Sequence, residues 1–201
     1  MSRTEPINAR GRRTRAALLD AARTLVEEVG PEAMTMAAVA DRAGVSRRAV
    51  YLHFASLPEL VNNLFDYVNE VEDIRSALAP VYESPDAASA LRAYARFLAT
   101  FLPRVLPVSD AIHRAVRQDE GAAAHWATAM HARREVCTML TTRLADEDRL
   151  SSPWTTHTAA EMLLAMNANE VIETLLDDCG WSTEQAAERL SVVFESTFVA
   201  R

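Results

Sequence analysis

Side chains suited to binding a polyanion lie close together near the N-terminus, at Arg47, Arg48 and Tyr51. An arginine guanidinium is a rigid fork of N–H donors that binds two acceptor atoms at once, and a tyrosine hydroxyl both donates and accepts. Groups of this kind bind phosphate oxygens and the acceptor atoms on base edges. The alternative is an ordinary surface helix whose arginines are only solvated.

The element that would position these side chains is a pair of short helices joined by a tight turn. Thr35 and Ser46 are good N-caps, so a helix is predicted after each of them. Gly44 permits the turn because it has no Cβ, and Ala40 is small where the two helices cross. This is the spacing of a helix-turn-helix, whose second helix enters a major groove. By itself the spacing fits a plain helical hairpin about equally well.

Charge is distributed unevenly along the chain. The net charge of −7 argues against a nucleic-acid partner if the chain is treated as one object. Residues 1–60, however, carry nine arginines against seven acidic residues, so the excess of acid lies in the rest of the chain. A basic end on an acidic body suits a protein that offers only one end to phosphate. The arginines expected to form a DNA-contacting arm, or else a solvated tail, are Arg3, Arg10, Arg12, Arg13 and Arg15.

Apolar residues recur at helical spacing throughout, and no segment alternates with the period of two expected of a strand. Capping residues, among them Ser56 before the fourth helix and Ser182 before the last, mark where helices begin, and glycine or proline residues mark where they stop. Together with the periodicity they predict nine helices and an all-α fold. The fourth helix is predicted to run unbroken from Leu57 to about Leu78. Pro103 and Pro107 are predicted to end the fifth helix, with a short helix around 111–117 after it. The eighth helix is predicted to run from Pro153 to about residue 178.

The helical body carries bulky side chains that could line a pocket between the fifth, seventh and eighth predicted helices. The candidates are Phe97, Phe101, Trp126, Met130, Arg133 and Met166. Arg133 interrupts an otherwise apolar stripe, which favours either an anchor for an anionic group or an ion pair between helices. For the methionines and aromatic residues the alternative is plain core packing, because methionine readily fills irregular gaps.

The last two predicted helices have more apolar surface than one core would cover. In the eighth helix, Leu163 and Met162 lie on opposite apolar faces. A helix that is apolar on two sides must be covered on two sides, and a second subunit would supply the second cover. Leu190 and Phe194, on the broad stripe of the last helix, are expected at the same seam. The pattern predicts a homodimer, the alternative being a monomer with a thick core.

The sequence lacks the motifs typical of several other functional classes. The sequence contains no nucleophile elbow, P-loop, dinucleotide-binding turn or zinc-protease pair, so an enzyme is not expected. His125 and His131 are six residues apart and do not share a helix face, which disfavours a metal site, and no cofactor is expected. Cys137 and Cys179 form no redox spacing. A helical lipid or metabolite carrier remains as an alternative, although a carrier needs no basic helix face.

Targeting signals are also missing from the sequence. No run approaches the roughly 18 apolar residues of a membrane span. The arginine-rich N-terminus has no apolar stretch behind it, so it is not typical of a secretory signal. A cytoplasmic protein with no membrane partner is therefore expected.

Three stretches of sequence resemble the TetR family of bacterial regulators: VADRAGVS at 39–46, AVYLHF at 49–54 and SLPEL at 56–60. The resemblance is strong over about residues 10–70 and continues more weakly in CGWSTEQAA before the last helix. It implies an all-helical homodimer whose last two helices form the subunit interface. Members usually repress promoters, and a small ligand usually releases them from DNA.

Residue by residue, the resemblance assigns a set of positions to double-stranded DNA: Thr35 to backbone phosphate, Ser46 to the cap of the reading helix, Arg47, Arg48 and Ala49 to base edges, and Tyr51 and His53 to phosphate or bases. Two positions depart from the family pattern. Ala49 stands where a serine or threonine is common, so a hydroxyl contact is lost. Leu57 stands where a lysine often binds phosphate.

The expected organisation is a helix-turn-helix DNA-binding domain at residues 10–60, followed by a helical ligand-binding and dimerisation domain at 61–201. The expected function is that of a ligand-responsive transcriptional regulator, a repressor that a small organic molecule releases from a palindromic operator. Activation and nucleoid-type binding stay open, because repression depends on where the operator lies.

Overall fold

The computed structural model describes residues 9–115 and 120–200, the side chains of residues 114 and 115 excepted. Within these ranges the chain is helical and contains no strand, which confirms the all-α prediction. The described residues form ten α-helices and not the nine predicted, because two of the long predicted helices are interrupted and two others are joined. The helices are α1 (Ala9–Val29), α2 (Met36–Arg42), α3 (Arg47–Tyr51), α4 (Leu57–Val71), α5 (Ile74–Glu83), α6 (Ala87–Ala115), α7 (Glu120–Asp146), α8 (Thr156–Met166), α9 (Asn169–Glu173) and α10 (Thr183–Phe198). Arg3 and residues 116 and 117 of the predicted short helix lie outside the described residues.

The chain divides into two compact units. The first unit comprises Met1–Val71 and Pro107–Trp126, and the second unit comprises Glu72–Leu106 and Ala127–Arg201. Two long helices, α6 and α7, contribute residues to both units. The division at residue 60 into a DNA-binding and a ligand-binding domain concerns function and stays a prediction.

The core of the first unit forms where α1, α2 and α3 bury one side each. Leu18 and Leu25 of α1 are buried with Val39 of α2 and Val50 of α3, and α4 adds Leu64. These residues recur at helical spacing, so each helix presents one apolar stripe to the others. Burial of these side chains supplies the free energy that holds the short helices α2 and α3, which would not be stable in isolation.

Two polar contacts add to the packing of α4 in the first unit. The Tyr67 hydroxyl donates to Asp20 Oδ1 of α1 at 2.6 Å. Partial burial and this hydrogen bond raise the pKa of Tyr67 to about 12. At the start of α4, Ser56 Oγ accepts from Glu59 N at 3.3 Å, as the sequence predicts, while the Glu59 carboxylate accepts from the backbone of Ala55.

The prediction of one long helix from Leu57 to Leu78 is wrong. The chain interrupts α4 after Val71 and begins α5 at Ile74. Asp73 causes the break, because it has a left-handed backbone with φ of +52° and its carboxylate accepts from Ser76 N at 3.2 Å. Aspartate tolerates this conformation better than most residues and is a strong N-cap.

The prediction that Pro103 and Pro107 end a helix is also wrong, since α6 continues through both to Ala115. A proline inside a helix removes one backbone hydrogen bond and costs about 3 kcal/mol. The turns around these prolines bury Leu102, Val105 and Val108. Burial of such side chains contributes roughly 1.5–3 kcal/mol each, which offsets the cost of the prolines.

The predicted eighth helix begins later than expected and is interrupted. It starts at Thr156 rather than at Pro153, because Thr155 and Thr158 form a capping box. The helix stops at Met166, and α9 resumes at Asn169 and ends in a π-helical turn at Thr174–Asp178. The last helix, α10, begins at its predicted cap, where Ser182 and Gln185 form a second capping box.

Aromatic and leucine side chains from several helices form the core of the second unit. Tyr94 and Leu98 of α6, Leu140 of α7 and Leu163 of α8 are buried. The α10 residues predicted at a subunit seam, Leu190 and Phe194, are buried within the chain itself. Their placement at a seam is therefore wrong, because the chain's own core already covers that face of α10.

Candidate nucleic-acid interface

Local capping and one glycine form the turn between α2 and α3. Thr35 Oγ1 accepts from Ala38 N at 3.1 Å at the start of α2, and Ser46 Oγ accepts from Ala49 N at 3.2 Å at the start of α3. Both predicted N-caps are thus confirmed. Gly44 lies between them with φ of +67°, a conformation that glycine adopts without strain.

The buried side of the two helices determines which way α3 faces. Val39 and Ala40 of α2 and Val50 of α3 are fully buried, and Phe54 closes the same core beyond the end of α3. Because Val50 points inward, the residues on the opposite side of α3 point to solvent. The helix-turn-helix predicted from spacing is confirmed as a local structure.

The exposed side of α3 carries the predicted reading residues. Arg47 and Arg48 are exposed, and Tyr51 is 55% exposed. Ala49 and His53 are only partly exposed, so their side chains are less available to a partner. Neither Arg47 nor Arg48 forms an ion pair with any residue that the structure describes, which leaves both guanidinium groups available to an acceptor.

One residue of this surface, Leu52, has no part in the predicted site. Its side chain is 77% exposed although it is large and apolar. An exposed apolar side chain beside arginines suits contact with a thymine methyl group or with a sugar. Its position between Tyr51 and His53, away from the stripe of Val50 and Phe54, is the signal that could have revealed it.

The predicted basic arm begins within α1, and one of its arginines supports the fold. The Arg15 guanidinium lies 5.0 Å from the centroid of the Phe54 ring and donates to Asn63 Oδ1 of α4. These contacts occupy the Arg15 guanidinium within the first unit, so it is less available to a phosphate than the prediction assumes. Arg10, Arg12 and Arg13 are exposed.

The predicted ligand residues are divided between the two units. In the second unit, the ring of Phe97 stacks on Tyr94 at 6.0 Å and on Phe101 at 5.0 Å, and both phenylalanines are buried. Met130 and Met166 of the same unit are half-buried. In the first unit, Trp126 stacks on the imidazole of His113 at 4.9 Å.

Arg133 belongs to a hydrogen-bond network at the break between α8 and α9. It donates to the backbone oxygen of Asn167 at 3.4 Å and to Asn169 Oδ1 at 3.1 Å. Burial lowers the pKa of Arg133. No carboxylate of the described chain forms an ion pair with it, so the predicted interhelical ion pair is not formed there.

Asn167, which the sequence suggests as a polar anchor of the pocket together with Arg133, Asn169 and His113, is the centre of this network. Its amide nitrogen donates to the Tyr94 hydroxyl at 2.7 Å and to Cys137 Sγ at 3.3 Å. Its Oδ1 is buried without a partner among the described residues. Burial raises the pKa of the Cys137 thiol, which makes this thiol less reactive.

Two further site classes find no support in the described part of the chain. Residues 9–115 and 120–200 contain no cluster of three or more histidine, cysteine or acidic side chains that could hold a metal ion. No helix in those ranges is both long and apolar enough to span a bilayer.

A family model described as bacterial regulatory proteins of the tetR family matches residues 18–64, the segment that contains the helix-turn-helix. The transcriptional regulator TtgR of Pseudomonas putida is 40% identical over 73 residues, which cover 36% of this chain and 33% of TtgR. ArpR of Pseudomonas putida, described as a probable HTH-type transcriptional regulator, matches to the same extent. The match thus spans about a third of the length of these relatives.

Solved structures match over nearly the whole chain. A transcriptional-regulator structure from Saccharomonospora viridis, in complex with choline, has a TM-score of 0.80 at 17% identity and covers 94% of this chain and 100% of its own. SmeT in complex with triclosan has a TM-score of 0.71 at 17% identity, with 94% and 92% covered. NalD of Pseudomonas aeruginosa, the secondary repressor of a multidrug efflux pump, has a TM-score of 0.68 at 24% identity, with 94% and 98% covered.

At these identities the solved structures establish the shared fold and not a shared ligand. The family model and the two Pseudomonas relatives match the same N-terminal segment in which α2, Gly44 and α3 form the turn. The family is one of regulatory proteins and not of enzymes. Residues 18–64 of this chain therefore match the TetR family of bacterial regulatory proteins, and the fold that surrounds them is the one that these solved structures share.

Proposed function

We propose that this protein is a cytoplasmic transcriptional repressor that binds a palindromic DNA operator as a homodimer. The observation that carries the proposal is the exposed face of α3, which presents Arg47, Arg48 and Tyr51 on the helix-turn-helix that matches the family model. Among the DNA positions assigned by resemblance, Thr35 and Ser46 also cap helices, so their hydroxyls have a structural role as well.

Recognition would combine phosphate attraction with reading of base edges. Guanidinium groups that approach O6 and N7 of a guanine supply about 1–3 kcal/mol of discrimination per bidentate contact. Contacts to phosphate release counterions, so affinity is expected to fall steeply as salt is added. Arg47 and Arg48 have no competing ion pair in the described chain, and binding DNA would cost them no internal contact.

Selection of bound fragments from random DNA, followed by titration, tests this function. The Arg47→Ala, Arg48→Ala double variant is expected to lose at least roughly tenfold in affinity for the selected DNA. The matched control is Arg75→Ala, Arg134→Ala, which removes the same charge from exposed positions of α5 and α7. Equal losses in the two double variants, or no loss in the first, would contradict the assignment of α3 as the reading helix.

A homodimer would place two α3 helices on successive major grooves, which is why a palindromic operator is proposed. Apolar side chains exposed on α8 and α10 support this assembly. Met162 is 42% exposed, Val192 57% and Val193 41%. These residues take the place of Leu190 and Phe194 as the proposed seam, since the latter are buried within the chain.

Release from DNA by a small organic molecule is the remaining part of the proposal. The proposed lining keeps the predicted residues of the second unit, which are Phe97, Phe101, Met130, Arg133 and Met166. The complexes of similar folds with choline and triclosan support an organic ligand of some kind. Arg133 would bind an acceptor on the ligand, because it lacks a carboxylate partner in the described chain.

Helices α6 and α7, which run through both units, would carry the effect of the ligand to the DNA-binding end. Within the first unit, the beginning of α7 contacts α4. His125 Nε2 lies 3.3 Å from Asp66 Oδ1, and its ring meets Phe65 edge-on at 5.5 Å. A shift of α7 would therefore displace α4 within this unit. This route replaces the unbroken helix from Leu57 to Leu78, which the structure does not contain.

A further inference from the structure

The polar centre between α7 and the break that separates α8 from α9 contains a buried acceptor without a donor. Asn167 is fully buried, and its amide nitrogen donates to the Tyr94 hydroxyl at 2.7 Å and to Cys137 Sγ at 3.3 Å. Its Oδ1 accepts from no residue that the structure describes. A buried polar atom that stays unpaired is costly, so such atoms are normally paired with the protein, with water or with a ligand.

Arg133 of α7 places a half-buried cation directly beside this acceptor. It donates to the backbone oxygen of Asn167 at 3.4 Å and to Asn169 Oδ1 at 3.1 Å, and neither acceptor carries a charge. The exposed carboxylate of Glu170 acts on Arg133 only from beyond ion-pair distance. A guanidinium has more donors than these two contacts use, and it binds an anionic acceptor more strongly than a neutral one.

The cation and the unpaired acceptor are close neighbours. Arg133 donates to the main chain of the same residue, Asn167, whose side-chain oxygen lacks a donor. The guanidinium and Asn167 Oδ1 are therefore separated by little more than the length of one asparagine. A single head group can meet both of them when its acceptor and its donor are attached to adjacent atoms.

Half-buried methionines flank this polar centre. Met130 precedes Arg133 by about one helical turn and so lies on the same face of α7, and Met166 directly precedes Asn167 at the end of α8. Methionine is unbranched and adapts to the shape of the group that it contacts. An apolar group between these two side chains would cover them while its polar end meets Arg133.

These contacts narrow the head group of a ligand to a carboxylate with a neighbouring hydroxyl. A carboxylate compensates the charge of Arg133 and accepts from its remaining donors, which a neutral carbonyl does less well. A hydroxyl donates to Asn167 Oδ1. An ammonium group would also donate to this oxygen, but it would place a second cation beside Arg133.

We infer that the proposed ligand pocket binds an α-hydroxy acid, with its carboxylate on Arg133, its hydroxyl donating to Asn167 Oδ1 and its apolar body against Met130 and Met166. The inference rests on the proposed function, because it names the ligand class of the pocket proposed there. A site that fixes three parts of one small molecule also distinguishes that molecule from its mirror image. One enantiomer is therefore expected to bind better than the other.

Titration calorimetry on the full chain without DNA tests the inference with three matched probes. Mandelate carries both groups, phenylacetate lacks the hydroxyl, and mandelamide has a neutral amide in place of the carboxylate. One mandelate enantiomer is expected to bind roughly tenfold more tightly than either of the other two probes. Equal affinities for mandelate and phenylacetate would show that Asn167 Oδ1 has another donor, such as a buried water. That result, or no binding of mandelate, would overturn the inference.

Variants assign each preference to its residue. Arg133→Met removes the guanidinium but keeps an unbranched side chain, and is expected to weaken mandelate binding roughly tenfold and to abolish the preference over mandelamide. The preference over phenylacetate is expected to remain. Arg134→Met is the matched control, because Arg134 is the exposed neighbour on α7, and is expected to change affinity less than about twofold. Unchanged mandelate affinity in Arg133→Met would contradict the assignment.

Asn167→Leu removes the unpaired oxygen and is expected to bind mandelate and phenylacetate equally. Asn167 is fully buried, so a melting curve first establishes that this variant folds. If it does not fold, the three probes on the wild type and on Arg133→Met decide the question. A folded Asn167→Leu protein that still prefers mandelate over phenylacetate would overturn the role of Asn167 Oδ1.

Titration of the selected DNA separates this result from the proposed function. If mandelate binds with the expected preferences but leaves DNA affinity unchanged, the inference holds and the proposed release from DNA is wrong. If another organic molecule releases the protein from DNA while mandelate does not bind, the proposed release holds and the inference is wrong.

Discussion

At the scale of one residue, position 44 requires glycine because of its backbone conformation and not because a side chain would lack space. Its φ is +67°, yet no atom lies within 4 Å of the position that a Cβ would occupy. A side chain would therefore fit, but the left-handed backbone would be strained. The sequence reasoning identified this position for the same reason, since a turn between two short helices requires such a conformation.

Gly44→Ala is expected to lower the free energy of unfolding by about 1 kcal/mol, because alanine resists a positive φ. Urea denaturation measures this change. Gly121→Ala is the matched control, because Gly121 lies within α7 and has no positive φ. There the same substitution is expected to leave stability unchanged or to raise it. A Gly44→Ala protein as stable as the wild type would contradict the argument from backbone strain.

Arg15 differs from its neighbour Arg13 in what its side chain contacts. Arg15→Ala removes the contact with Phe54 and the hydrogen bond to Asn63, and is expected to destabilise the first unit by about 1–2 kcal/mol. Arg13→Ala removes an exposed arginine from the same helix and is expected to change stability by less than about 0.5 kcal/mol. Thermal melts of the two variants provide the comparison. Equal melting temperatures would show that Arg15 is not a structural residue.

At the scale of secondary structure, helices with local start signals were predicted well. Thr35, Ser46 and Ser182 cap helices where the sequence places them, because a cap depends on residues within one turn. Helix ends that depend on distant packing were predicted poorly. The periodic pattern continues across Asp73 and Asn167, where the helices stop, and the prolines of α6 do not stop theirs.

A substitution to arginine is expected to affect assembly on the exposed face of α10 and folding on its buried face. Val193→Arg places a cation on the exposed side of α10 and is expected to yield a folded monomer with weak operator affinity. Leu190→Arg places a cation in the core of the chain and is expected to unfold the second unit. Light scattering and circular dichroism distinguish the two results. A dimeric, fully active Val193→Arg protein would exclude this side of α10 as the seam.

At the scale of the whole molecule, the proposed ligand response requires that ligand binding and DNA binding be thermodynamically linked. A molecule that lowers operator affinity must bind the free protein better than the DNA-bound protein, typically by about 1–3 kcal/mol. Helices α6 and α7 are the elements common to both units.

A screen of small organic molecules for a rise in melting temperature is therefore expected to yield hits whose effect shrinks when operator DNA is present. Each hit is then titrated against free and operator-bound protein. Hits that bind both forms equally would show a pocket without a switch.

The helix-turn-helix and its outward arginines could be derived from the sequence alone. Caps, a turn glycine and the spacing of Val39 and Val50 act over a few residues, so their consequences can be predicted without knowing the rest of the fold. The all-helical class follows from periodicity for the same reason.

The tertiary structure alone decided which partner each side chain meets. Arg15 contacts Asn63 from 48 positions away, and Asn167 contacts Tyr94 from 73 positions away. Leu190 is covered by the core of its own chain. Burial and long-range contacts depend on how all the helices pack, and a periodic pattern shows only that a face must be covered, not what covers it.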